Sequence, residues 1–350
     1  MVNTIKIALD AMGGDIGPEA VIPAAQMVAK DTPGLQFLIY GDEAKILPLL
    51  AKHRHLRGIS SVIHTDKFVA SDEKPSTALR NGKGSSMRLA IEAVKEGKAD
   101  AIVSAGNTGA LMAIAKIVLK TVPGIHRPAI ASVFPSLKGQ TIMLDLGANV
   151  LVDAENLAQF AVLGAVFAKA QKKVAVPSVG LLNVGTEDTK GPDHVKGAAN
   201  ILANVDFPGH YRGFVEGTDI MTGEVDVIVS DGYAGNIALK AIEGAGKMMA
   251  TAFKDSLRSD PLAVIGGVLS IFAIKRFKNK VDPRLYNGGV FLGLNGICVK
   301  SHGGSDALGI SSAIRLACNL AKEGYINTVS EDIGHLMSQE TLLTEGAYRD

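Results

Sequence analysis

Six short apolar runs, each ending in a cluster of Gly, Asn, Asp, Ser and Thr, constrain the fold more than any other feature of the sequence. A buried strand that opens into a polar loop before a helix gives this pattern, and such loops lie at the carboxyl ends of parallel strands. We therefore expect polar side chains that are far apart in sequence to converge in space. The six segments are IALDAMGGD (7–15), IVSAGNTGA (102–110), IMLDLGAN (142–149), LLNVGTED (181–188), VIVSDGYAGN (227–236) and FLGLNGICVKSHGGSD (291–306).

Helical patterns of ordinary length lie between these runs, for example at residues 84–96 and 156–173. Alternation of strand and helix predicts an α/β protein with a Rossmann-like α/β/α layered fold and a mostly parallel sheet. Aromatic residues make up only 5% of the 350 residues and Trp is absent, so small aliphatic side chains must fill the interior. We expect residues 1–350 to form a single unit with two lobes.

One stretch departs from the alternation and predicts a protruding helical pair at residues 237–283. An amphipathic helix is expected from Asn236, with that residue as its N-cap, to Ser259. Asp260 and Pro261 then supply a new N-cap and a proline at the first helical position. The run 261–274 has no charged residue and is followed by basic residues. At about 1.5 Å per residue, it is too short for a hydrocarbon core of roughly 30 Å.

Two interpretations of this apolar run remain open. It is either a buried helix or dimer contact, or an interfacial anchor whose apolar tip enters lipid while the following cations meet anionic headgroups. The predicted membrane contacts are Leu262, Ile265, Leu269, Ile271 and Phe272.

Composition and missing motifs narrow the function. The net charge of +1 disfavours a general nucleic-acid binder. The two cysteines, Cys298 and Cys318, suggest neither a zinc site nor a disulfide framework, and the first residues lack a signal-peptide pattern, so we expect a cytoplasmic protein. The sequence also lacks the GxGxxG, GxxxxGK[ST], HExxH and GxSxG motifs. Ordinary dinucleotide binding, Walker-type ATP use, zinc hydrolysis and serine hydrolase chemistry therefore lose support.

The loops that are present suit a small anion, because glycine exposes backbone amides and a following helix adds a positive dipole end. Lys190 follows one such loop and is a candidate clamp for phosphate or an oxyanion. His302, among glycines at a strand end, is a candidate proton donor near neutral pH. Cys298 lies within a strand pattern with no adjacent base, so we reject it as a nucleophile.

The same segments resemble the bacterial phosphate acyltransferase family (PlsX), which takes part in phospholipid synthesis. The matching pieces are DAMGGD (10–15), SAGNTGA (104–110), DLGAN (145–149), LLNVGTE (181–187), SDGYAGN (230–236) and GLNGICVKSHGGSD (293–306). They run from the start of the chain almost to its end. Each piece is weak by itself, but the whole set is highly specific.

The resemblance implies that inorganic phosphate attacks the thioester of a long-chain acyl carrier protein and gives an acyl phosphate. A membrane glycerol-3-phosphate acyltransferase uses that product. The resemblance also implies a homodimer, a fold distantly similar to phosphotransacetylases and to isocitrate and isopropylmalate dehydrogenases, and a cytosolic protein peripherally associated with the membrane. Because phosphate is already ionised at pH 7, we expect no cofactor and no metal.

We predict roles for the loop residues on this basis. Loop amides with Asn107, Thr108 and Ser305 hold phosphate, Lys190 offsets charge, and His302, oriented by Asp306 or Asp231, assists departure of the thiol. The predicted catalytic residues are Lys190, His302, Asp231 and Asn236. The predicted substrate-binding residues are Asp10, Gly13, Gly14, Asp15, Gly106, Asn107, Thr108, Asn149, Asn183, Gly185, Thr186, Ser305 and Asp306.

The acidic carrier protein needs a basic landing surface, for which the sequence offers two alternatives. One consists of Arg80, Lys83 and Arg88, and the other of the basic residues between Lys275 and Arg284. Two other functions stay open beside acyl transfer. They are a metal- and NAD(P)-dependent decarboxylating dehydrogenase of the isopropylmalate type, and a non-catalytic scaffold that recruits lipid-synthesis partners to the membrane.

Overall fold

The computed structural model describes residues 4–334, apart from the side chains of residues 278–281. Strands and helices alternate along this range. Its eleven strands are β1 (Ile5–Asp10), β2 (Leu35–Gly41), β3 (Ser60–His64), β4 (Ala101–Ser104), β5 (Ala129–Ser136), β6 (Gly139–Leu144), β7 (Ser178–Leu182), β8 (His210–Val215), β9 (Val227–Val229), β10 (Gly289–Leu292) and β11 (Ile297–Lys300). Its helices are α1 (Pro18–Asp31), α2 (Glu43–Leu50), α3 (Arg54–Gly58), α4 (Pro75–Asn81), α5 (Ser86–Lys95), α6 (Thr108–Leu119), α7 (Ala154–Lys172), α8 (Asp193–Asn204), α9 (Gly232–Ser256), α10 (Pro261–Leu269), α11 (Ile271–Val281) and α12 (Ala307–Lys322).

The strands pair side by side in the order β3-β2-β1-β4-β11-β10-β5-β6-β9-β7-β8. The first five strands of this order are parallel to one another. Strands β10 and β5 are each antiparallel to both of their neighbours. The last four strands are again parallel among themselves, but they point opposite to the first five. The sheet is mostly parallel and has two halves of opposite direction.

Alternate residues of the strands face two different helix layers. On one face Ile7 and Val103 belong to a core shared with α1, α7, α8 and α12, which continues across both halves of the sheet. On the other face Ala8 and Ile102 pack with α5 and α6, whereas Ile228 lies in a separate cluster beside α9. The period of two in each strand thus places helices on both sides, which confirms the predicted α/β/α layering.

The predicted helices at 84–96 and 156–173 are present, with shorter or shifted ends, as α5 and α7. Helix α9 begins at Gly232, and its N-cap is Asp231, whose carboxylate accepts from the Ala234 amide at 2.7 Å. The prediction of Asn236 as N-cap is therefore wrong, because the helix begins earlier and Asn236 lies inside it. Asp260 and Pro261 start α10 as predicted.

The predicted apolar run is divided by Ser270 into α10 and the start of α11. Leu262 is 80% exposed and Phe272 is 78% exposed, and α10 has no buried residue. Among the described residues, no helix combines the length and the apolar character that crossing a bilayer requires. The two lobes and the role of segment 237–283 stay predictions, and residues 1–3 and 335–350 of the predicted unit lie outside the described residues.

Candidate active site

The six polar strand ends form two groups, not one. The first group contains the loops after β1, β4 and β11, and the second contains the loops after β6, β7 and β9. Because the two halves of the sheet run in opposite directions, these groups lie at opposite edges. Strands β4 and β9 are five steps apart in the sheet order, or about 24 Å at ~4.8 Å per step. The expectation that all six clusters converge within one protomer is therefore wrong.

Asp10, at the end of β1, lies at the centre of the first group. Its carboxylate is buried and accepts 2.6 Å hydrogen bonds from the hydroxyls of Ser86 and Ser104. Burial raises the pKa of Asp10, although these two hydroxyls and the Met12 and Gly13 amides lower it in part. Asp10 therefore links the end of β1 to the end of β4 and to the start of α5 through hydrogen bonds.

The loop after β1 packs closely against the loops after β4 and β11. A side chain at Gly13 would meet Asp10 Oδ2 at 2.6 Å and the Gly106 amide at 2.7 Å, so only glycine fits there. The Asp15 amide donates to the Gly303 carbonyl at 2.9 Å. The structure thus brings Gly13, Gly14, Asp15 and Gly106 together in the first group.

Asn107 and Thr108 begin α6 in the same group. The Asn107 side chain caps the helix by accepting from the Ala110 amide, and its Nδ2 donates to the carbonyls of Ser71 and Glu73 at 2.9 Å each. These bonds fix the loop, while Thr108 is exposed at the first helical position. A ligand above this helix end would meet backbone amides and the Thr108 hydroxyl.

The loop after β11 carries His302, Ser305 and Asp306. His302 is exposed, and its Nδ1 accepts from the Gly304 amide at 3.2 Å, so the neutral ring carries its proton on Nε2. Asp306 caps α12 through the Gly309 amide and binds Arg284 at 2.9 Å. The Gly309 amide and Arg284 lower the pKa of Asp306. The Asp306 carboxylate therefore bonds to Arg284 and the Gly309 amide, whereas the Gly304 amide holds the His302 ring.

Lys300, the last residue of β11, is a charged residue of this group that we did not single out from the sequence. It is buried, and its Nζ donates to the Ala105 carbonyl at 3.3 Å and to the Ser301 carbonyl. Burial lowers the pKa of Lys300 to about 8, against the opposing effect of Asp10 and Asp15. The available signal was a lysine at the end of an otherwise apolar strand, directly before the small residues of a polar loop.

Asp145 and Asn149 form the base of the second group. The buried Asp145 carboxylate accepts from the amides of Ile130, Gly147, Ala148 and Asn149, and from the Asn149 side chain at 2.9 Å. Burial raises the pKa of Asp145 against these hydrogen bonds. Asn149 also donates to the Pro128 carbonyl at 2.8 Å, so its amide group holds the loop in place.

Asn183 shapes the loop that carries Lys190. Its Nδ2 donates to the carbonyls of Gly185 and Lys190 at 3.1 Å each, which folds the loop back on itself. Lys190 is exposed and pairs with Glu187 at 2.7 Å. The hydrogen bond to Glu187 raises the pKa of Lys190. Thr186, in the same loop, is exposed.

Asp231 and Asn236 lie in the first turns of α9, next to the loop that Asp145 holds. Asp231 Oδ2 is 3.5 Å from His194 Nε2, a histidine at the start of α8 that we did not select from the sequence. The Asn236 side chain donates to the Leu146 carbonyl at 3.0 Å. Asp231 is therefore paired with His194, and it does not orient His302 of the same protomer because the two residues lie at opposite sheet edges.

Comparison with known proteins identifies the family. Residues 5–328 match the model of a family described as fatty acid synthesis protein. A phosphate acyltransferase from Rhodospirillum centenum is 51% identical over 95% of this chain and 94% of its own length. One from Caulobacter vibrioides is 46% identical over 99% of this chain and 96% of its own length. The chain belongs to the phosphate acyltransferase family.

Comparison with solved structures shows which other proteins have a fold similar to that of this chain. A phosphotransacetylase, EutD from Staphylococcus aureus, matches with a TM-score of 0.59 at 19% identity, covering 91% of this chain and 94% of its own. A putative 4-hydroxythreonine-4-phosphate dehydrogenase from Salmonella typhimurium has a TM-score of 0.51 at 15% identity, covering 91% of this chain and 100% of its own. The predicted relation to the phosphotransacetylase fold is confirmed, and the roles of individual residues stay predictions.

Proposed function

We propose that this chain transfers a fatty acyl group from acyl carrier protein to inorganic phosphate, giving an acyl phosphate for phospholipid synthesis. The observation that carries the proposal is the similarity to curated phosphate acyltransferases over nearly the whole length of both chains. The first group supports it independently, since glycine-rich loops and the start of a helix form a surface suited to a small anion. The dehydrogenase and scaffold alternatives have no comparable support.

The reaction needs few chemical groups from the protein. A phosphate oxygen attacks the thioester carbonyl, so a carbon–oxygen bond forms, the carbon–sulfur bond breaks, and the electron pair leaves on sulfur. Donors aimed at the developing oxyanion and a proton for the leaving thiolate supply the catalysis. A protein nucleophile is unnecessary, which agrees with the complete burial of Cys298 and a thiol pKa that burial raises.

We assign phosphate binding to the first group. The Gly14 amide, the start of α6 at Thr108, and Ser305 would surround the anion, while Gly13 and Gly106, whose amides bond to Asp10 and Ser104, shape the loops. The exposed His302 ring carries its proton on Nε2 because Nδ1 accepts from Gly304, so Nε2 would donate a hydrogen bond to the leaving thiolate, which takes its proton from water. Asp10 would act indirectly by holding the loops.

The second group cannot act on the same thioester within one protomer, because roughly 24 Å of sheet separates β4 from β9. We propose that a homodimer closes this gap, with the second group of one protomer facing the first group of the other. A two-fold dimer makes each such contact twice, so it would form two complete sites. Lys190, with the dyad of Asp231 and His194, would then face the oxyanion.

The protein partner and the membrane complete the proposal. The acidic acyl carrier protein would bind either Arg80, Lys83 and Arg88 or the basic residues from Lys275 to Arg284, of which the side chains at 278–281 lie outside the described residues. We also propose a cytoplasmic protein that associates peripherally with the membrane, and the exposed apolar residues of α10 and α11 support the membrane contact. That location would deliver product to the membrane glycerol-3-phosphate acyltransferase.

Release of free thiol from purified acyl carrier protein loaded with a fatty acyl chain tests the function. The reaction mixture holds the protein and inorganic phosphate, with a chelator and without nucleotide. We expect thiol release that depends on phosphate. Release without phosphate, or a requirement for NAD(P), would overturn the proposed activity.

A further inference from the structure

Lys300 is a buried cation without an ion-pair partner among the described residues. Its side chain and backbone together are only 8% exposed. None of the described carboxylates lies within the 4.0 Å ion-pair distance of its Nζ, and both oxygens of the nearby Asp10 accept from serine hydroxyls. A buried charge with no counter-ion costs free energy, so its retention calls for a compensating interaction.

Two carbonyls satisfy only part of the ammonium group. An ammonium has three N–H donors, and Lys300 Nζ donates to the carbonyls of Ala105 and Ser301. Ala105 follows β4 and Ser301 follows β11, so the charge lies at the junction of two loops of the first group. One donor has no partner among the described residues.

The loops around the Lys300 ammonium contact one another through backbone atoms and not through large side chains. A Cβ atom at Gly14 would lie 2.9 Å from the Gly303 carbonyl, and the Asp15 amide donates to that same carbonyl. Glycines therefore let the loops after β1 and β11 approach each other beside Lys300.

We propose that Lys300 binds the phosphate substrate directly, as the cation of the first group. The inference rests on the proposed function. It gives the phosphate a counter-charge within the group that also holds the glycine-rich loops, whereas Lys190 lies at the opposite sheet edge. The remaining N–H of Lys300 donates to a phosphate oxygen, and the anion supplies the ion-pair partner that no described carboxylate provides within 4.0 Å.

Phosphate affinity is expected to fall as pH rises through about 8, because Lys300 then loses its charge. Phosphate itself is already a dianion there, so its own ionisation does not produce the change. The other titratable groups facing the ammonium are Asp10 from β1, Asp15 from the loop before α1, and Cys298 of its own strand. If an Asp10→Asn variant keeps this pH dependence of phosphate affinity, the dependence does not arise from titration of Asp10.

Calorimetric titration with inorganic phosphate tests the inference on Lys300→Met, Lys300→Gln and Lys300→Arg. We expect the phosphate Kd to rise about 10- to 100-fold in the Met and Gln variants. The Arg variant should keep more affinity, and the KM for acyl carrier protein should stay near the wild-type value. Lys45→Met, which removes an exposed lysine on α2, is the matched control and should bind normally.

A folded Lys300→Met protein with the wild-type phosphate Kd would overturn the inference. If neither neutral variant folds, the wild-type protein decides: a phosphate Kd that is constant between pH 7 and 9.5 would equally reject it. Failure of the proposed function looks different, since wild-type protein would then bind phosphate in a Lys300-dependent manner without releasing thiol. If the wild-type protein releases thiol normally and Lys300→Met keeps the wild-type phosphate Kd, only the role of Lys300 is rejected.

Discussion

The Ser104 hydroxyl donates a 2.6 Å hydrogen bond to Asp10 Oδ2, and its oxygen accepts a 3.0 Å bond from the Gly106 amide. One buried side chain thereby joins the end of β4 to the end of β1 and to its own loop. The first group owes its shape to this bond and to the matching bond from Ser86, which reaches Asp10 at 2.6 Å.

Ser104→Ala is expected to lower the free energy of unfolding by about 2 kcal/mol, because a buried carboxylate loses a hydrogen-bond donor. Urea unfolding measures the change. Ser330→Ala is the control, since its exposed hydroxyl bonds only to the Ile326 carbonyl one helical turn earlier, and it should cost less than about 0.5 kcal/mol. Equal effects of the two substitutions would show that the Ser104 bond does not stabilise the fold.

The buried Asp10 carboxylate predicts a pH dependence of stability. Burial raises its pKa, so the folded protein binds this proton more tightly than the unfolded chain does. Linkage then requires that the contribution of Asp10 is fully present below its unfolded pKa and is lost as pH rises through its folded pKa. Wild-type stability should therefore fall relative to Asp10→Asn above about pH 4. Urea titrations of both proteins from pH 4 to 8 give the difference, and a relative gain by wild type would contradict it.

The polar strand ends could be located from sequence because apolar runs and glycine clusters are local signals. The direction of the strands could not be predicted from the sequence. It depends on the antiparallel strands β5 and β10, and β10 pairs with β5 although more than a hundred residues separate them in sequence. A local clue existed in the β5–β6 hairpin, where Leu137 and Lys138 form a two-residue connection, but it does not reveal what the rest of the sheet does.

The individual partners were also beyond local sequence. The pattern SDGYAGN contains three residues able to cap a helix, namely Ser230, Asp231 and Asn236, and only the backbone geometry selects Asp231. His194 comes near Asp231 because α8 and α9 follow adjacent strands of the sheet. Burial of Lys300 depends on three loops that meet only in the folded protein.

Lys190→Ala is expected to lower kcat/KM about 100-fold if Lys190 stabilises the oxyanion. Its ion pair with Glu187 is exposed, so the free energy of unfolding should stay close to that of the wild type. Lys196→Ala is the matched control, because Lys196 pairs in the same way with Asp193, three residues earlier. Steady-state thiol release and urea unfolding measure both quantities. Equal activity of the two variants would remove Lys190 from the mechanism.

The same variant tests whether the second group acts across a dimer. Mixed dimers that carry Lys190→Ala in one protomer and His302→Ala in the other should regain activity that neither homodimer has, since one site keeps both residues. Mixed dimers no more active than the homodimers would mean that each site takes both residues from one protomer, and would contradict the shared site.

The double substitution Ile265→Asp and Ile271→Asp is expected to abolish binding to anionic vesicles, because it places charge in the apolar stretch of α10 and α11. Both residues are 56% exposed, so folding should be unaffected. Leu137→Asp is the control at an equally apolar site, 82% exposed, in the β5–β6 turn. Vesicle sedimentation measures binding. Unchanged sedimentation of a folded double variant would leave dimer contact as the role of this helix pair.

The fate of phosphate oxygen tests acyl transfer most directly. Purified protein is given acyl carrier protein loaded with a fatty acyl chain and phosphate labelled with ¹⁸O at all four positions, and the product is examined by mass spectrometry. Attack of phosphate on the thioester predicts an acyl phosphate that keeps all four labelled oxygens, formed together with free thiol. Unlabelled fatty acid as the first product, with no acyl phosphate, would mean that water is the nucleophile and would contradict the proposed function.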